Sequence, residues 1–132
     1  AWEADRGHKW TGFPPNVWLG VSIESQDQIN RLRVLCLIQA RVRWVSVEPM
    51  LGPVHIGWPD LNCNPSPINW VVVGGESGPN HRPCEIDWIR SVADQCKAAR
   101  VPCFVKQDSH RLPGQQGRIP DDLWSVKQFP SV

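Results

Sequence analysis

The chain has 132 residues, which limits it to one domain or to a part of one. Its 14 basic and 13 acidic residues give a net charge of +1, a balance that favours neither a nucleic-acid surface nor a polybasic membrane contact. No apolar run approaches the roughly 18 residues that span a bilayer. The N-terminal AWEADRGHKW is polar and charged, unlike a signal peptide. These features predict a cytoplasmic protein with no membrane or nucleic-acid partner.

Cysteine and tryptophan set two further expectations. The chain has five cysteines, an odd number, and most of them lie in or near apolar segments. This usage predicts reduced thiols rather than disulfides. The chain also has eight tryptophans and no tyrosine, which favours aromatic packing in a core or along a cleft.

Four apolar segments follow a predicted N-terminal extension at residues 1–15. They are 17–24, 42–48, 69–76 and 102–107, and the first three are nearly continuous runs of apolar residues. Continuous rather than alternating apolar character is typical of parallel strands that are covered on both faces.

The connecting segments predict helices and one irregular link. Residues 25–28, SQDQ, fit a capping box that opens a helix to about Ala40. A second helix is predicted for 87–99. The link at 49–67 contains five prolines, so it is expected to form a short helix and a loop. The tail at 108–132 is expected to pack Trp124 and Phe129 back onto the body.

The order of these elements predicts an α/β fold. Strand and helix repetition over 16–107 gives a (β/α)4 parallel sheet, which is half of a TIM-type barrel, or a partial barrel. Such a sheet leaves two edges and one concave apolar face. We therefore expect either a homodimer that completes a barrel-like core, or coverage of that face by the proline-rich link and the tail.

Charged residues recur at the ends of the predicted strands. VSIE ends in Glu24, VSVE in Glu48 and GGE in Glu76, while Lys106 holds the matching place in the fourth strand. The spacings between them are 24, 28 and 30 residues, and each fits one βα unit. Because ligands bind at the carboxyl ends of parallel strands, the sequence predicts a shared site there.

Small residues are predicted beneath these charges. With a period of two, Ser22, Ser46 and Gly74 share a face with the three glutamates, and their size leaves room for a ligand. The tryptophans that head the first three strands are expected to seal the other end of the barrel: Trp18, Trp44 and Trp70.

The glycine-rich segment after the third strand allows two interpretations. Gly74, Gly75 and Gly78 could cradle a phosphate, but a tight turn that requires positive φ is the preferred interpretation. Arg82 beside them could clamp a carboxylate or a phosphate, or it could cap a helix or pair with Glu85.

A zinc site is an alternative in the same part of the chain. His81 and Cys84 could bind zinc together with Cys96 or Cys103. The chain has no C-x-x-C pair, so we predict no metal.

Several motifs together resemble a known family. They are NVWLGVSIES, RWVSVEPMLGPV, WVVVGGESGPNHRP, DWIRSVADQCKAARVPCFVKQ and IPDDLWSVKQFP, which cover nearly all of 16–130. They resemble the C-terminal half of a family of phage-encoded and bacterial proteins with a domain of unknown function, usually classed as radical-SAM-like. The resemblance implies a partial or complete (β/α) barrel of a phage or mobile-element type. It also implies an N-terminal half whose cysteines hold an iron–sulfur cluster that cleaves S-adenosylmethionine.

The resemblance also implies roles for the strand ends and shows two departures. In a complete member, Glu24, Glu48, Glu76 and Lys106 would line the barrel mouth and hold the methionyl part of the cofactor or the substrate. This chain lacks a C-x₃-C-x₂-C set, so it offers no local cluster site. Asp-Ser follows its Lys-Gln pair at 108–109, where the family tends to have Trp-Gly.

Three functional hypotheses follow. The leading one is an orphan half-barrel that binds a small molecule, needs no cofactor alone and performs no radical chemistry by itself. Its predicted ligand-binding residues are Glu24, Glu48, Glu76, Lys106, Ser22, Ser46, Gly74, Gly75 and Arg82. The second is a subunit that completes an enzyme with a separately encoded iron–sulfur half, which would bring the cluster and S-adenosylmethionine. The third is a structural or interaction module with a relict site.

Overall fold

The structure, a computed structural model, describes residues 12–64 and 66–132. Within them, four strands form one sheet in chain order, and every neighbouring pair is parallel. The strands are β1 (Trp18–Ser22), β2 (Val42–Val47), β3 (Trp70–Gly74) and β4 (Cys103–Gln107). The predicted α/β fold with a parallel sheet is therefore confirmed. Most of the N-terminal extension predicted for 1–15 lies outside the described residues.

The described α-helices connect or follow the strands, and only α3 has more than six residues. They are α1 (Asn30–Leu35), α2 (Trp58–Leu61), α3 (Ile86–Ala99) and α4 (Asp121–Trp124). The proline-rich link contains α2 and is otherwise a loop, as its composition predicts. No helix in the described ranges has the length and apolar character needed to cross a membrane.

The prediction for the first helix is wrong in the length of the helix and in its N-cap. A 3-10 turn at Gln26–Gln28 precedes the short helix α1. The Ser25 hydroxyl bonds to the Asp27 carboxylate and does not cap a helix. The Gln28 side-chain oxygen accepts from the Glu24 N–H at 2.8 Å, whereas a capping box would use the Ser25 N–H. The nearby aspartate competes for the hydroxyl, and the capping box does not form.

One face of the sheet carries the hydrophobic core. Alternate strand residues pack there against α1, α3 and the proline-rich link. The buried residues include Val45, Val47, Val71, Val73 and Val105 of the strands, Leu32, Leu35, Ile89 and Val92 of the helices, and Met50, Val54, Ile56 and Leu61 of the link. The link thus fills the helical layer. The expectation that it covers the concave face is wrong, because its apolar residues are used on the opposite side.

The other face of the sheet, called the open face here, has no helix on it among the described residues. It is formed by Trp18, Gly20, Ser22, Trp44, Ser46, Trp70, Val72, Phe104 and Lys106. The partners in register confirm that these side chains form rows across the sheet: Ser22 pairs with Ser46, and Ser46 pairs with Val72. Aromatic rings dominate the rows nearest the amino ends of the strands.

The C-terminal tail closes one edge of the sheet. Residues 126–128 run antiparallel to β4, with the Val105 N–H donating to Val126 and the Gln128 N–H donating to Cys103, each at 2.9 Å. Phe129 then stacks on Trp70 with a centroid distance of 5.5 Å. Residues 126–129 are called the strap below. The tail thus packs against β4 and Trp70.

Two of the cysteines form a disulfide, which corrects the expectation of reduced thiols. Cys36 follows α1 and Cys63 follows α2, and the two are bonded with their Cα atoms 6.1 Å apart, within the usual range for a disulfide. The bond ties the proline-rich link to α1. Cys84, Cys96 and Cys103 are free and buried.

The glycines at the end of β3 serve close packing rather than a left-handed turn. The expectation that Gly74 and Gly75 need positive φ is wrong, since Gly78 is the residue of this segment with positive φ, at 129°. A Cβ on Gly75 would lie 2.4 Å from the Ser109 backbone nitrogen. The absence of a side chain therefore lets β3 approach the segment that follows β4.

We expect Gly75→Ala to destabilise the protein by roughly 1–3 kcal/mol, because a side chain there overpacks against backbone. Urea unfolding measures the change. Gly52→Ala is the matched control, since a Cβ at Gly52 meets no atom within 4 Å, and we expect a change of less than about 0.5 kcal/mol. Equal losses in the two variants would contradict the packing role of Gly75.

Candidate functional site

An ion pair joins the carboxyl ends of β2 and β4 on the open face. The Lys106 ammonium donates to Glu48 Oε1 at 2.8 Å, and the Gln107 amide donates to the same oxygen at 3.2 Å. The Glu48 side chain is 15% exposed and that of Lys106 is 47% exposed. The ion pair is thus partly shielded from water, and a molecule on the open face can reach it.

A bulge in β4 explains how two neighbouring residues reach one glutamate. Val73 pairs with Val105, but Gly74 pairs with Gln107, so Lys106 is the extra residue. At the bulge, the exposed Lys106 and the buried Gln107 both reach the same oxygen of Glu48. The buried Gln107 also donates to the Gly75 carbonyl at 2.8 Å, which fixes its amide group between β3 and Glu48.

A cavity of about 310 Å³ lies next to this ion pair on the open face. Its lining residues are Trp44, Ser46, Glu48, Trp70, Val72, Phe104, Lys106 and Phe129. Aromatic rings form most of the wall, and the charged pair forms one end. The volume is at the lower limit of the range for small-molecule sites.

The position of Trp44 sets one boundary of the cavity. A Cβ on Gly20 would lie 2.5 Å from the Trp44 ring, so the indole lies directly over β1 where glycine leaves space. The Trp44 indole therefore fills the space above Gly20. Ser22 is exposed beside Ser46, but it does not line the cavity.

Glu76 is engaged elsewhere, by Arg82. The guanidinium donates to both carboxylate oxygens at 2.8 Å, and the Arg82 N–H donates at 2.7 Å. These hydrogen bonds, from the side chain first and then from the backbone, lower the pKa of Glu76 to about 2. Arg82 therefore pairs with Glu76 and not with Glu85. The bond to Glu76 is also the main cause that raises the pKa of Arg82, and the charge of Glu24 adds to it.

The segment after β4 is organised by a buried carboxylate. Asp108 accepts from the Arg118 guanidinium at 2.9 and 3.0 Å and from the Arg118 N–H at 2.8 Å. Burial would raise the pKa of Asp108, but the bonds from Arg118 and from the Ser109 N–H outweigh it and lower the pKa. Arg118 also donates to the Cys84 carbonyl at 2.7 Å, which links this loop to the segment before α3.

The predicted site residues divide into three sets. Glu48, Lys106 and Ser46 come together at the cavity, as the register of the strand ends predicts. The other two charged strand ends, Glu24 and Glu76, do not line this cavity, and Arg82 engages Glu76. The two glycines pack against backbone beneath the site and do not line it.

The aromatic walls of the cavity were not among the predicted site residues. Trp44 and Trp70 were expected to close the far end of a barrel, and Phe129 was expected to pack on the body. Their signal was the period of two, which places Trp44 on the same face as Ser46 and Phe104 on the same face as Lys106.

The described cysteines and histidines do not fit a zinc or iron–sulfur site. Within residues 12–64 and 66–132, no group of three or more His, Cys, Asp or Glu side chains is placed to hold a metal ion. Burial raises the pKa of the Cys84 thiol to about 11, which disfavours the thiolate that a metal needs. Cys96 and Cys103 are also buried.

The fold and the cavity define an α/β protein with a parallel four-stranded sheet and a small aromatic cavity on the face away from its helices. A family model described as a protein of unknown function (DUF5131) matches residues 2–121, and the chain belongs to that family. No curated protein and no solved structure matches the chain. The family description names no activity, so the radical-SAM-like and phage assignments stay predictions.

Removal of the Arg82 side chain should return the pKa of the Glu76 carboxyl to its ordinary value. In the native protein Glu76 stays ionised until the pH falls to about 2. In Arg82→Ala we expect its pKa to rise to about 4.3, since the hydrogen bonds that favour the charged form are lost. NMR titration of the Glu76 side-chain carbon measures the shift. Arg90→Ala, which removes the partner of Asp122, is the control and should leave the Glu76 titration unchanged.

Loss of Arg118 should destabilise the whole protein at neutral pH. Arg118→Ala removes the guanidinium from the Asp108 carboxylate, whose side chain is 2% exposed, and leaves it with the backbone N–H groups of residues 109 and 118. We expect a loss of roughly 1–3 kcal/mol. Because the folded-state pKa of Asp108 is lowered, this contribution is present above the ordinary value of about 3.9 and disappears as the pH falls through the lowered value. Urea unfolding at several pH values should therefore show the gap narrowing in acid.

The exposed pair Arg90–Asp122 provides the control for this experiment. Its two side chains are 38% and 67% exposed, so Arg90→Ala should lower the stability much less than Arg118→Ala does. A gap between wild type and Arg118→Ala that stays constant from neutral pH to acid would contradict the assigned role of Asp108.

Proposed function

We propose that the chain is a half TIM-type (β/α)4 unit that binds a small molecule in its open-face cavity. The observation that carries this proposal is the cavity of about 310 Å³ with aromatic walls and the Lys106–Glu48 pair at one end. Apolar walls with a few placed polar groups are the usual composition of a ligand site. The polar groups lie at the carboxyl ends of parallel strands, where α/β barrels bind their ligands.

The topology supports the half-barrel part of the proposal. The strands follow one another in chain order, and the described helices pack on the same face. In a barrel of this type the other face is the interior, filled by layers of side chains. The rows of aromatic and small residues on the open face fit such layers. Four of the eight strands that complete the layers would then be missing.

The charges of the site limit the chemistry of its ligand. Glu48 and Lys106 neutralise each other at 2.8 Å. A ligand with one charge would leave either the carboxylate or the ammonium without a partner, which is costly in a partly buried site. A neutral molecule can leave the pair intact, and a zwitterion can replace each half of it. We therefore favour neutral or zwitterionic ligands with a flat apolar group, which packs against Trp44 and Phe104.

Binding without radical chemistry fits the residues of this chain. A cluster needs several thiolates around one iron–sulfur unit, and the described free cysteines are buried in the core. In this proposal a cluster and S-adenosylmethionine would come with a second chain, and the binding role of Glu48 and Lys106 does not depend on them. A relict site would be expected to be filled by the chain's own side chains, whereas Phe129 walls the cavity and leaves it open.

Four benzene derivatives test the proposal by NMR at millimolar concentration: phenylalanine, benzamide, benzylamine and benzoate. We expect phenylalanine and benzamide to shift the resonances of Trp44 and Phe104 at lower concentration than the two singly charged probes. Lys106→Met should weaken phenylalanine at least tenfold, equivalent to about 1.4 kcal/mol, because its carboxylate loses the ammonium partner.

Lys97→Met is the matched control, since Lys97 lies on α3 and outside the lining of the open-face cavity. It should leave the affinity for phenylalanine unchanged. Shifts that spread over the helical face, or equal weakening in the two variants, would refute a site on the open face.

A further inference from the structure

The side-chain amide of Gln107 has a fixed orientation. Its nitrogen donates to the Gly75 carbonyl at 2.8 Å and to Glu48 Oε1 at 3.2 Å, while its oxygen accepts from the Gly114 N–H at 2.8 Å. A carbonyl can only accept and a backbone N–H can only donate, so an exchange of the amide oxygen and nitrogen would break both bonds to backbone. Gln107 is 1% exposed, and its two N–H groups are both in use.

The loop that follows β4 supports this orientation. Gly114 has a φ of 70°, a conformation that glycine adopts without strain. The next residue, Gln115, accepts from the Asp108 N–H at 2.9 Å, and Arg118 is paired with the Asp108 carboxylate. The donor to the Gln107 oxygen therefore belongs to a loop that is itself held by hydrogen bonds.

The two carboxylate oxygens of Glu48 are used differently. Oε1 accepts from Lys106 at 2.8 Å and from Gln107 at 3.2 Å, whereas Oε2 accepts from no group within residues 12–64 and 66–132. In the same ranges no buried side-chain oxygen or nitrogen lacks a hydrogen-bond partner, so Oε2 is in contact with solvent. Because Glu48 lines the open-face cavity, Oε2 is an acceptor that the site offers to a bound molecule.

Donors lie beside this acceptor. The Lys106 ammonium has three N–H groups, and Glu48 is its hydrogen-bond partner within the described residues. Two N–H groups therefore remain for a ligand. The Ser46 hydroxyl, two residues before Glu48 on the same face of β2, also lines the cavity. An α-amino acid matches these groups, because its ammonium can donate to Oε2 while its carboxylate accepts from Lys106. The ion pair between Lys106 and Glu48 stays intact in this arrangement.

We propose that the open-face cavity binds an aromatic α-amino acid, and that Gln107 is a positioning residue that holds Glu48 for the ligand's ammonium group. The inference rests on the proposed function and narrows its ligand class. Hydrogen bonds between charged groups are about twice as strong as neutral ones, so a zwitterion gains more here than a neutral amide. The aromatic side chain packs against Trp44 and Phe104. The cavity of about 310 Å³ is small for a ligand site, which suits a single amino acid.

A ligand series on the wild-type protein tests the ligand class without any substitution. NMR titration compares phenylalanine with phenylpropanoate, which lacks the ammonium, with phenethylamine, which lacks the carboxylate, and with neutral benzamide. We expect phenylalanine to bind at least about tenfold more tightly than each of the others, because it alone forms both charge-assisted contacts. A smaller advantage over benzamide overturns the inference and leaves the proposed function standing. Absence of shifts at Trp44 and Phe104 with all four probes overturns both.

Gln107→Met tests the positioning role, because methionine has a similar length and donates no hydrogen bond. The measured quantity is the ratio of the dissociation constants of benzamide and phenylalanine. We expect this ratio to fall at least about fivefold, since Glu48 loses its second donor. A general loosening of the cavity would weaken both probes alike and leave the ratio unchanged, and that result would overturn the positioning role.

Gln95→Met is the matched control. The Gln95 side chain also joins backbone groups, donating to the Val54 carbonyl at 3.1 Å and accepting from the Ile56 N–H at 2.7 Å, but it lies on α3 and outside the cavity lining. Its substitution should leave the ratio unchanged. Glu48→Gln keeps the shape of the side chain and removes its charge, so it tests the ammonium contact even if Gln107→Met does not fold. It should lower the ratio at least about tenfold, and an unchanged ratio would overturn the inference.

Discussion

The structure depends on burial of one face of a parallel sheet. The buried apolar side chains of α1, α3 and the proline-rich link pack on the same side of the sheet, and the sheet has no second helical layer within the described residues. The open face is therefore left with aromatic rings that remain partly in water. Those rings, and the polar ends of the strands above them, supply both the walls and the charged end of the candidate site.

A single irregularity in the sheet gives the site its polar end. At the bulge in β4, Lys106 and Gln107 both donate to one oxygen of Glu48. The bulge is held by the close approach of β3 to the segment after β4, which requires glycine at positions 74 and 75. The close packing at Gly74 and Gly75 thus belongs to the same local structure that positions the Lys106 ammonium group.

The sequence predicted the features that depend on period and order. The four strands, their parallel order and the meeting of Glu48 with Lys106 follow from apolar runs and their spacing. The pairing of Glu76 with Arg82 does not, because it depends on the conformation of a loop, and the same holds for the burial of Asp108. The bond between Cys36 and Cys63 joins two segments whose separation no periodic pattern encodes, and composition alone favoured free thiols.

The two edges of the sheet differ, and the difference has its origin in the chain's C-terminal segment. The strap lies beyond residue 121, where the match to the family model ends, and it covers the edge of β4 while its Phe129 completes the wall of the cavity. One short segment thus closes an edge and shapes the site. Within the described residues, no comparable segment covers the outer edge of β1. The described part of the sheet is therefore asymmetric, with the candidate site next to the edge that the strap covers.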